Sequence, residues 1–344
     1  MFRRRLSRLI RPIQDAKRSR EKARGIRRNV AIPYDMFDEI RSCTDARSAR
    51  KLAEIYHKGQ KNVWDGRKVL DELQLKHGKS PLTEEKRQAL LKILAVLLWG
   101  ELAAWKISAD LALHLEPLEA KLAATAQAHD EARHFYVMYE YMSLLGEVPH
   151  ELGPAAEAVL TGTLETRDLT RKLMGMQLMI EPMALTLFQL IRRHEIDPLL
   201  CELLVLYQRD EARHVALGVL HLPKLLRAMG PVEAAGLWTW QFRQFWNEFS
   251  LVRELEDELA VLGIDAADVI RLGRAKQIRA NQMLIEEFGE NLRVVDAFIR
   301  FFDGKAEWEF PTHCSRSHYP ARLAHAIAAA RAGKGAVPRS LVNA

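Results

Sequence analysis

The residues best placed to do chemistry lie in two identical stretches. Asp130-Glu131-Ala132-Arg133-His134 recurs letter for letter, eighty positions later, as Asp210-Glu211-Ala212-Arg213-His214. Two solitary glutamates keep step with them, since Glu101 precedes Glu131 by the same interval that separates Glu181 from Glu211. The chain therefore holds two copies of a unit that donates one Glu and then Glu-x-x-His. On an α-helix residues i and i+3 share a face, so Glu131 with His134, and Glu211 with His214, can each bite a single ion. Two antiparallel helix pairs brought together would aim four carboxylates and two imidazoles at one point. Four carboxylates in a bundle interior repel one another and are severely desolvated unless cations neutralise them, and two divalent ions do so. Mixed carboxylate and imidazole ligands suit iron or manganese, whereas structural zinc more often takes thiolates. A single Glu-x-x-His on a helix is usually a solvent-facing pair. Here Glu101 follows Val96-Leu97-Leu98-Trp99-Gly100 and Glu181 follows Met179-Ile180, apolar settings in which a charge does not face water.

The neighbours of these ligands repeat as well. Asp130 and Asp210 are placed to accept the outer imidazole proton of the histidine in the opposite motif, and Arg133 and Arg213 to hold those aspartates, fixing ring orientation and tautomer. Ordinary surface ion pairs are the alternative for both arginines. Met174, Met176, Met179 and Met183 cluster around Glu181 with Leu178, Leu185 and Phe188. Thioethers adapt to irregular apolar shapes, so the cluster is either core packing or the wall of a hydrophobic substrate pocket. His114, His129, His194 and His221 take no assigned role.

The elements that must position these side chains are helices. From residue 35 onward Leu, Ala, Glu, Lys and Arg dominate, and glycines and prolines fall between periodic segments. The pattern predicts helices near 44–59, 83–114, 117–145, 155–193, 198–229, 231–262 and 265–302. Thr83 is a candidate cap, although Lys86 stands where a capping box has Glu or Gln. A short Ala-rich helix and a frayed end follow. No linker is visible after residue 35, so the division is a basic tail over 1–34, one helical domain over 35–310, and an extension over 311–344.

The two pentapeptides, with Glu101 and Glu181, resemble the ferritin-like superfamily of di-iron oxygenases and of ribonucleotide reductase small subunits, over roughly residues 60 to 225. Their wording is most similar to the bacterial multicomponent monooxygenases, and the second half also resembles acyl carrier protein desaturases. The resemblance implies an all-α, ferritin-like four-helix bundle with additional N- and C-terminal helices. It also implies two iron ions, or manganese with iron, held by Glu101, Glu131, His134, Glu181, Glu211 and His214, and an oxygenase, desaturase or oxidase that uses O2 on a small, apolar organic substrate. Trp64 stands as in the reductase subunits, where this tryptophan pairs with the second-motif aspartate, here Asp210, and passes electrons through the first-motif histidine, here His134. An anchor for the N-terminal segment is the other reading of Trp64. Several positions depart from the members. Met138 replaces the radical tyrosine of the reductases and is expected to line an apolar cavity, and Tyr136 and Tyr139 fall on other faces. Tyr207 replaces an additional histidine ligand of p-aminobenzoate N-oxygenases, and Leu185, with Thr186 one step off, replaces the monooxygenases' threonine. The end, Arg339 to Ala344, lacks the relay tyrosine of the reductases. A radical-generating subunit and a ferritin-like storage or stress protein are the rival readings.

Composition sets the surroundings. With 344 residues and 48% hydrophobic residues the chain can bury one large core. Its 3 cysteines show no paired spacing, which favours a reducing, cytoplasmic setting. The most apolar run, 93–100, is far short of a membrane span, and a soluble protein is expected. The net charge of +6 is confined to the first 28 residues, where Lys and Arg far outnumber the acids. Phe2, Leu6, Leu9, Ile10 and Ile13 follow helical spacing there, so this tail could lie on an anionic surface, or be simply solvated. No dinucleotide fingerprint is evident, so electrons would come from an external ferredoxin or reductase. A homodimer is conceivable.

Overall fold

The computed structural model describes residues 34–288 and 293–332. The expectations for the basic tail and for the chain end past residue 332 lie outside them. The described residues form two compact units, one ending at Ala46 and the other beginning at Arg47. They contain helices and no strand. In chain order the helices are α1 (Glu39–Lys61), α2 (Gly66–His77), α3 (Glu84–His114), α4 (Leu118–Leu145), α5 (Pro154–Leu164), α6 (Leu169–Arg193), α7 (Pro198–Arg227), α8 (Pro231–Glu254), α9 (Glu256–Val261), α10 (Ala266–Phe288), α11 (Arg293–Glu309) and α12 (Tyr319–Ala332).

Four of these make the bundle. Helix α3 packs on α4, α4 on α7, α7 on α6, and α6 back on α3, closing a ring. Helix α2 lies against α4 and α7, and α10 against α6 and α7. Helix α3 begins where expected, with the Thr83 hydroxyl accepting from the Lys86 amide at 3.4 Å. Pro198 opens α7 behind an Asp197 cap whose carboxylate accepts from Leu200 N at 3.0 Å.

The sidedness of the four helices explains how a polar layer survives inside. One apolar cluster takes Leu90, Leu94 and Leu98 of α3, Val137 and Met142 of α4, Phe188 and Ile191 of α6, and Leu200 and Leu204 of α7. A second takes Ile107 and Leu111, Ala120 and Ala124, Leu173 and Met174, and Leu217 and Leu222 from the same four helices. Each helix carries its chemistry-bearing residues between its contributions to the two clusters. Apolar packing above and below fixes the height of the polar layer, and burial at about 25 cal/mol per Å² supplies the driving force that a layer of charges cannot.

The structure differs from the periodicity in several places, one of them Leu255, where the helix expected over 231–262 ends as α8 before α9 begins. Helix α2 was not anticipated, because its stretch is rich in charge, yet Asp65 caps it by accepting from Lys68 N at 3.0 Å. The continuous helix expected over 155–193 is broken, since Asp168 accepts from Thr170 N at 2.9 Å and starts a new helix. Helix α6 also contains a π-helical turn, Met176–Ile180, directly before Glu181. An inserted turn of this kind changes the facing of everything after it and is frequent at functional sites. Helix α6 is long and apolar enough to cross a membrane, and 83% of its most apolar window is buried inside the protein, where the bundle core accounts for that apolarity.

Gly218 of α7 lets the π turn approach. A Cβ there would meet Gln177 Cβ at 2.5 Å. Ala in a helix is otherwise favoured over Gly by about 1 kcal/mol. Gly218→Ala should therefore lower stability by about 1–3 kcal/mol in denaturant titration, the usual cost of overpacking. Gly100→Ala, with nothing within 4 Å of the added carbon, should not. Equal stability of the two variants would show that the π turn is not held against Gly218.

Candidate metal centre

The six repeated residues arrive from four helices, Glu101 on α3, Glu131 and His134 on α4, Glu181 on α6, and Glu211 and His214 on α7. All six are buried, none above 4% exposed. Their donor atoms form two overlapping groups, Glu101 with Glu131, His134 and Glu211, and Glu181 with Glu131, Glu211 and His214, each within 4.8 Å. Glu131 and Glu211 belong to both. Glu101 and His134 belong to the first group alone, and Glu181 and His214 to the second alone. His134 Nδ1 lies 3.1 Å from Glu211 and 3.4 Å from Glu101, and His214 Nδ1 lies 2.8 Å from Glu211 and 3.0 Å from Glu131.

The outer nitrogens are tied across the bundle. His134 Nε2 faces Asp210 at 3.3 Å and His214 Nε2 faces Asp130 at 3.4 Å. Arg133 donates to Asp130 at 2.6 Å and to Asp210 at 2.8 Å, and Arg213 donates to both aspartates at 2.8 Å. Each arginine thus clamps both aspartates, and this pairing is buried, not a surface pairing. Trp64 Nε1 donates to Asp210 at 2.8 Å, its ring lies 6.3 Å from that of His134, and the Arg133 guanidinium sits 4.7 Å from its centre.

The arrangement fits two cations on its own terms. Glu131 Oε2 and His134 Nδ1 are buried polar atoms without a hydrogen-bond partner. Burial, and then the charges of Glu211 and Glu131, push the Glu181 carboxyl well up, and burial does the same to Glu101. Burial alone would lower His134, but the carboxylates of Asp210, Glu101, Glu131 and Glu211 close around its ring raise it well above its ordinary value. His214 is likewise raised by Glu131 and Glu211 against its burial. Burial would raise Asp130, yet the hydrogen bond from His214 brings it down to about 2, and Asp210 is depressed against burial by His134. Protons on the ligands thus stand in for the positive charge that metal ions would bring.

Two further glutamines organise the carboxylates. Gln127 donates to Glu131 at 3.0 Å and to Glu181 at 2.9 Å, and Gln177 of the π turn donates to Gln127 at 3.0 Å. Gln127 lies one turn before Glu131, and that spacing was the available signal. Gln177 depends on the π turn, which the letters do not announce.

An apolar cavity opens beside the cluster. Its wall contains Glu101, Glu131, Glu181 and Glu211 on one part, and Leu97, Met176, Met183 and Leu187 on another. Two of the four methionines therefore reach it, whereas Met174 and Met179 pack in the core clusters. Met138 does not line this cavity; one turn beyond His134 on the same face of α4, it has passed from the polar layer into the first apolar cluster, where it is fully buried. Leu185 is half-buried, and the Thr186 hydroxyl is engaged by the Pro182 carbonyl at 2.7 Å. Tyr136 and Tyr139 are at the surface. Tyr207 is more than a replaced ligand: it is fully buried, its ring stacks 4.2 Å from that of His134, and its hydroxyl donates to the His134 carbonyl at 2.6 Å. Also unforeseen is Glu248 of α8, a buried carboxyl in the wall of the same cavity.

Comparison with known proteins adds overlaps of limited extent. The chain matches no family model and no curated protein. Among solved structures it is similar to an R2-like ligand-binding oxidase with an aerobically reconstituted metal cofactor after photoconversion, at 18% identity and TM-score 0.46, covering 69% of this chain and 90% of that one. A glycine-to-leucine variant of such an oxidase with an Fe/Fe cofactor gives the same identity, coverage and TM-score, 18%, 69% and 90%, and 0.46. A tyrosine-to-phenylalanine variant with an anaerobically reconstituted Mn/Fe cofactor gives 18% identity and TM-score 0.48, covering 69% of this chain and 91% of that one.

Proton linkage provides a test. Without metal, Glu101, Glu181, His134 and His214 bind protons more tightly folded than unfolded. Their contribution is complete below the unfolded values of 4.5 and 6.5, and is lost as pH rises through the folded ones. Glu131, Glu211, Asp130 and Asp210 are depressed, so their contribution is already complete above 4.5 and is lost only as pH falls. The urea midpoint of chelator-treated protein should therefore fall between pH 6.5 and about pH 8. A midpoint that is level or rises over that interval would contradict these protonation states.

Proposed function

We propose that the chain is an oxidoreductase that binds two iron ions, or manganese with iron, through Glu101, Glu131, His134, Glu181, Glu211 and His214, and reduces O2 while oxidising a small, apolar organic molecule. The observation that carries this reading is that four buried carboxylates and two buried imidazoles converge on two overlapping sets of donors at the wall of an apolar cavity. When bound, two redox-active ions would supply electrons for O2 reduction. The remaining work belongs to the chain. Glu131 and Glu211, which belong to both donor groups, would be shared by the two ions, and Asp130 and Asp210, clamped by Arg133 and Arg213, fix both imidazoles with Nδ1 inward. The apolar wall keeps bulk water from the reacting atoms and favours a hydrocarbon-bearing substrate. An oxygenase, desaturase or oxidase outcome is compatible with this arrangement.

Trp64 provides a route for electrons from an external donor such as a ferredoxin or reductase. Its indole N–H reaches Asp210, and the same carboxylate oxygen reaches His134 Nε2. A storage or stress role fits less well, because the cavity beside the carboxylates is walled mainly by aliphatic side chains and methionines, which give an iron cargo no ligands. Tyr207 is the one observation that favours a radical-generating subunit. Its phenol, however, donates to a backbone carbonyl, which is not a base able to take the proton, so a persistent tyrosyl radical is disfavoured there. Reducing, cytoplasmic conditions are compatible with Cys43, Cys201 and Cys314, none of which is paired in a disulfide.

The test loads the protein anaerobically with ferrous iron, counts metal and follows O2. Two ions per chain, rapid O2 consumption and no long-lived tyrosyl signal in electron paramagnetic resonance are expected. Glu131→Ala and His214→Ala should each lose at least one ion, and Trp64→Phe should keep both while slowing turnover with an added reductase by about tenfold or more. Fewer than one ion per chain, with the ligand variants unchanged, would end the proposal. A persistent tyrosyl radical lost in Tyr207→Phe would favour the radical-generating subunit.

A further inference from the structure

Glu248 is a charged-type residue where the proposed reaction has no use for one. It comes from α8, outside the four ligand-bearing helices, and is 3% exposed. It lines the same cavity as the four cluster glutamates, among Val96, Leu97, Leu160 and Leu251. One of its oxygens, Oε2, accepts from Gln277 Nε2 of α10 at 2.7 Å. The other, Oε1, is buried without any partner. A buried polar atom left unpaired costs about 1–3 kcal/mol, so a cavity-lining residue that carries one calls for a ligand that satisfies it.

The protonation of this group decides what the partner is. Burial pushes the Glu248 carboxyl up to about 8, against the Gln277 hydrogen bond and the charge of Arg274. Arg274 compensates little because it is itself engaged with Asp303 and the Ile299 carbonyl. The acid is therefore mostly neutral at pH 7. Since Oε2 already accepts from Gln277, the proton belongs on Oε1, which makes Glu248 a hydrogen-bond donor in a wall whose other acidic residues are the four glutamates of the cluster.

We propose that Glu248 is a specificity-determining residue that donates a hydrogen bond from its unpartnered Oε1 to an oxygen of the substrate, so that the cavity selects an apolar alcohol or ketone over the bare hydrocarbon. This rests on the reading of the cavity as the substrate site. It concerns recognition alone, and no covalent step is assigned to Glu248. An isosteric change separates donor from acceptor. In Glu248→Gln the amide oxygen can still accept from Gln277 while the NH2 takes over as donor, whereas Glu248→Leu removes the donor.

The experiment measures binding of cyclohexanol, cyclohexanone, methylcyclohexane and cyclohexylamine to anaerobic iron-loaded protein by calorimetry, with metal counted on the same samples. Wild type should bind the alcohol and the ketone about tenfold more tightly than methylcyclohexane, the ratio expected for one satisfied buried donor. Glu248→Gln should keep that preference within about threefold, and Glu248→Leu should lose it while binding methylcyclohexane at least as well. A preference that survives in the Leu variant overturns the assignment. So does its loss in the Gln variant together with tight wild-type binding of cyclohexylamine, which would make Glu248 an ionised acceptor. Failure of every probe to bind overturns it as well. The metal count stands apart from these readouts, so a protein that binds the probes without retaining iron would sink the redox reading and leave the Glu248 assignment standing.

Discussion

Everything in the bundle answers to the cost of holding four carboxylates in a space that water does not reach. Ionised carboxylates transferred from water to a protein interior cost several kcal/mol each even after relaxation, and mutual repulsion adds to that. The chain meets the cost with directed positive charge. Two imidazoles point inward, two arginines neutralise the aspartates behind them, and Gln127 donates to two of the carboxylates at once. What these groups leave unmet, notably the unpartnered Glu131 Oε2 and His134 Nδ1, is what a pair of cations would satisfy. The two apolar clusters above and below the layer make the arrangement stable enough to wait for them.

The symmetry of the site follows from the symmetry of the sequence. Because the repeated pentapeptides run on α4 and α7, each histidine meets the aspartate of the opposite motif, and each arginine meets both aspartates. The two halves are not equivalent beyond that ring. Trp64 addresses only Asp210, Tyr207 stacks only on His134, and the π turn precedes only Glu181. Electrons would thus arrive on the His134 side, while the cavity gathers Met176, Ile180 and Met183 around Glu181. On the proposed reading, this asymmetry would put the supply of electrons on one side of Glu131 and Glu211 and the organic molecule on the other.

The convergence of the six side chains was legible because helical spacing is rigid: once α4 and α7 are helices, Glu131 with His134 and Glu211 with His214 must share faces. The aspartate and arginine network was legible for the same reason, through its repetition. What escaped was whatever depends on tertiary placement. Tyr207 reads as a replaced ligand, yet one turn before Glu211 it lies against His134. Met138 reads as a cavity residue, yet one turn beyond His134 it has already passed into the core. Glu248 has no motif at all, and only the packing of α8 against the bundle brings it to the cavity. The break at Asp168 was marked by a capping residue that a long apolar period hid, whereas the π turn left no local signal.

The central claim is that Glu131 and Glu211 stand between two metal ions. Anomalous diffraction from crystals grown with iron and manganese, recorded at both absorption edges, tests it most directly. The account predicts two peaks inside the ring of α3, α4, α6 and α7, both bordered by Glu131 and Glu211, one reached by His134 and the other by His214. A single peak, or peaks that avoid either of those glutamates, would contradict it.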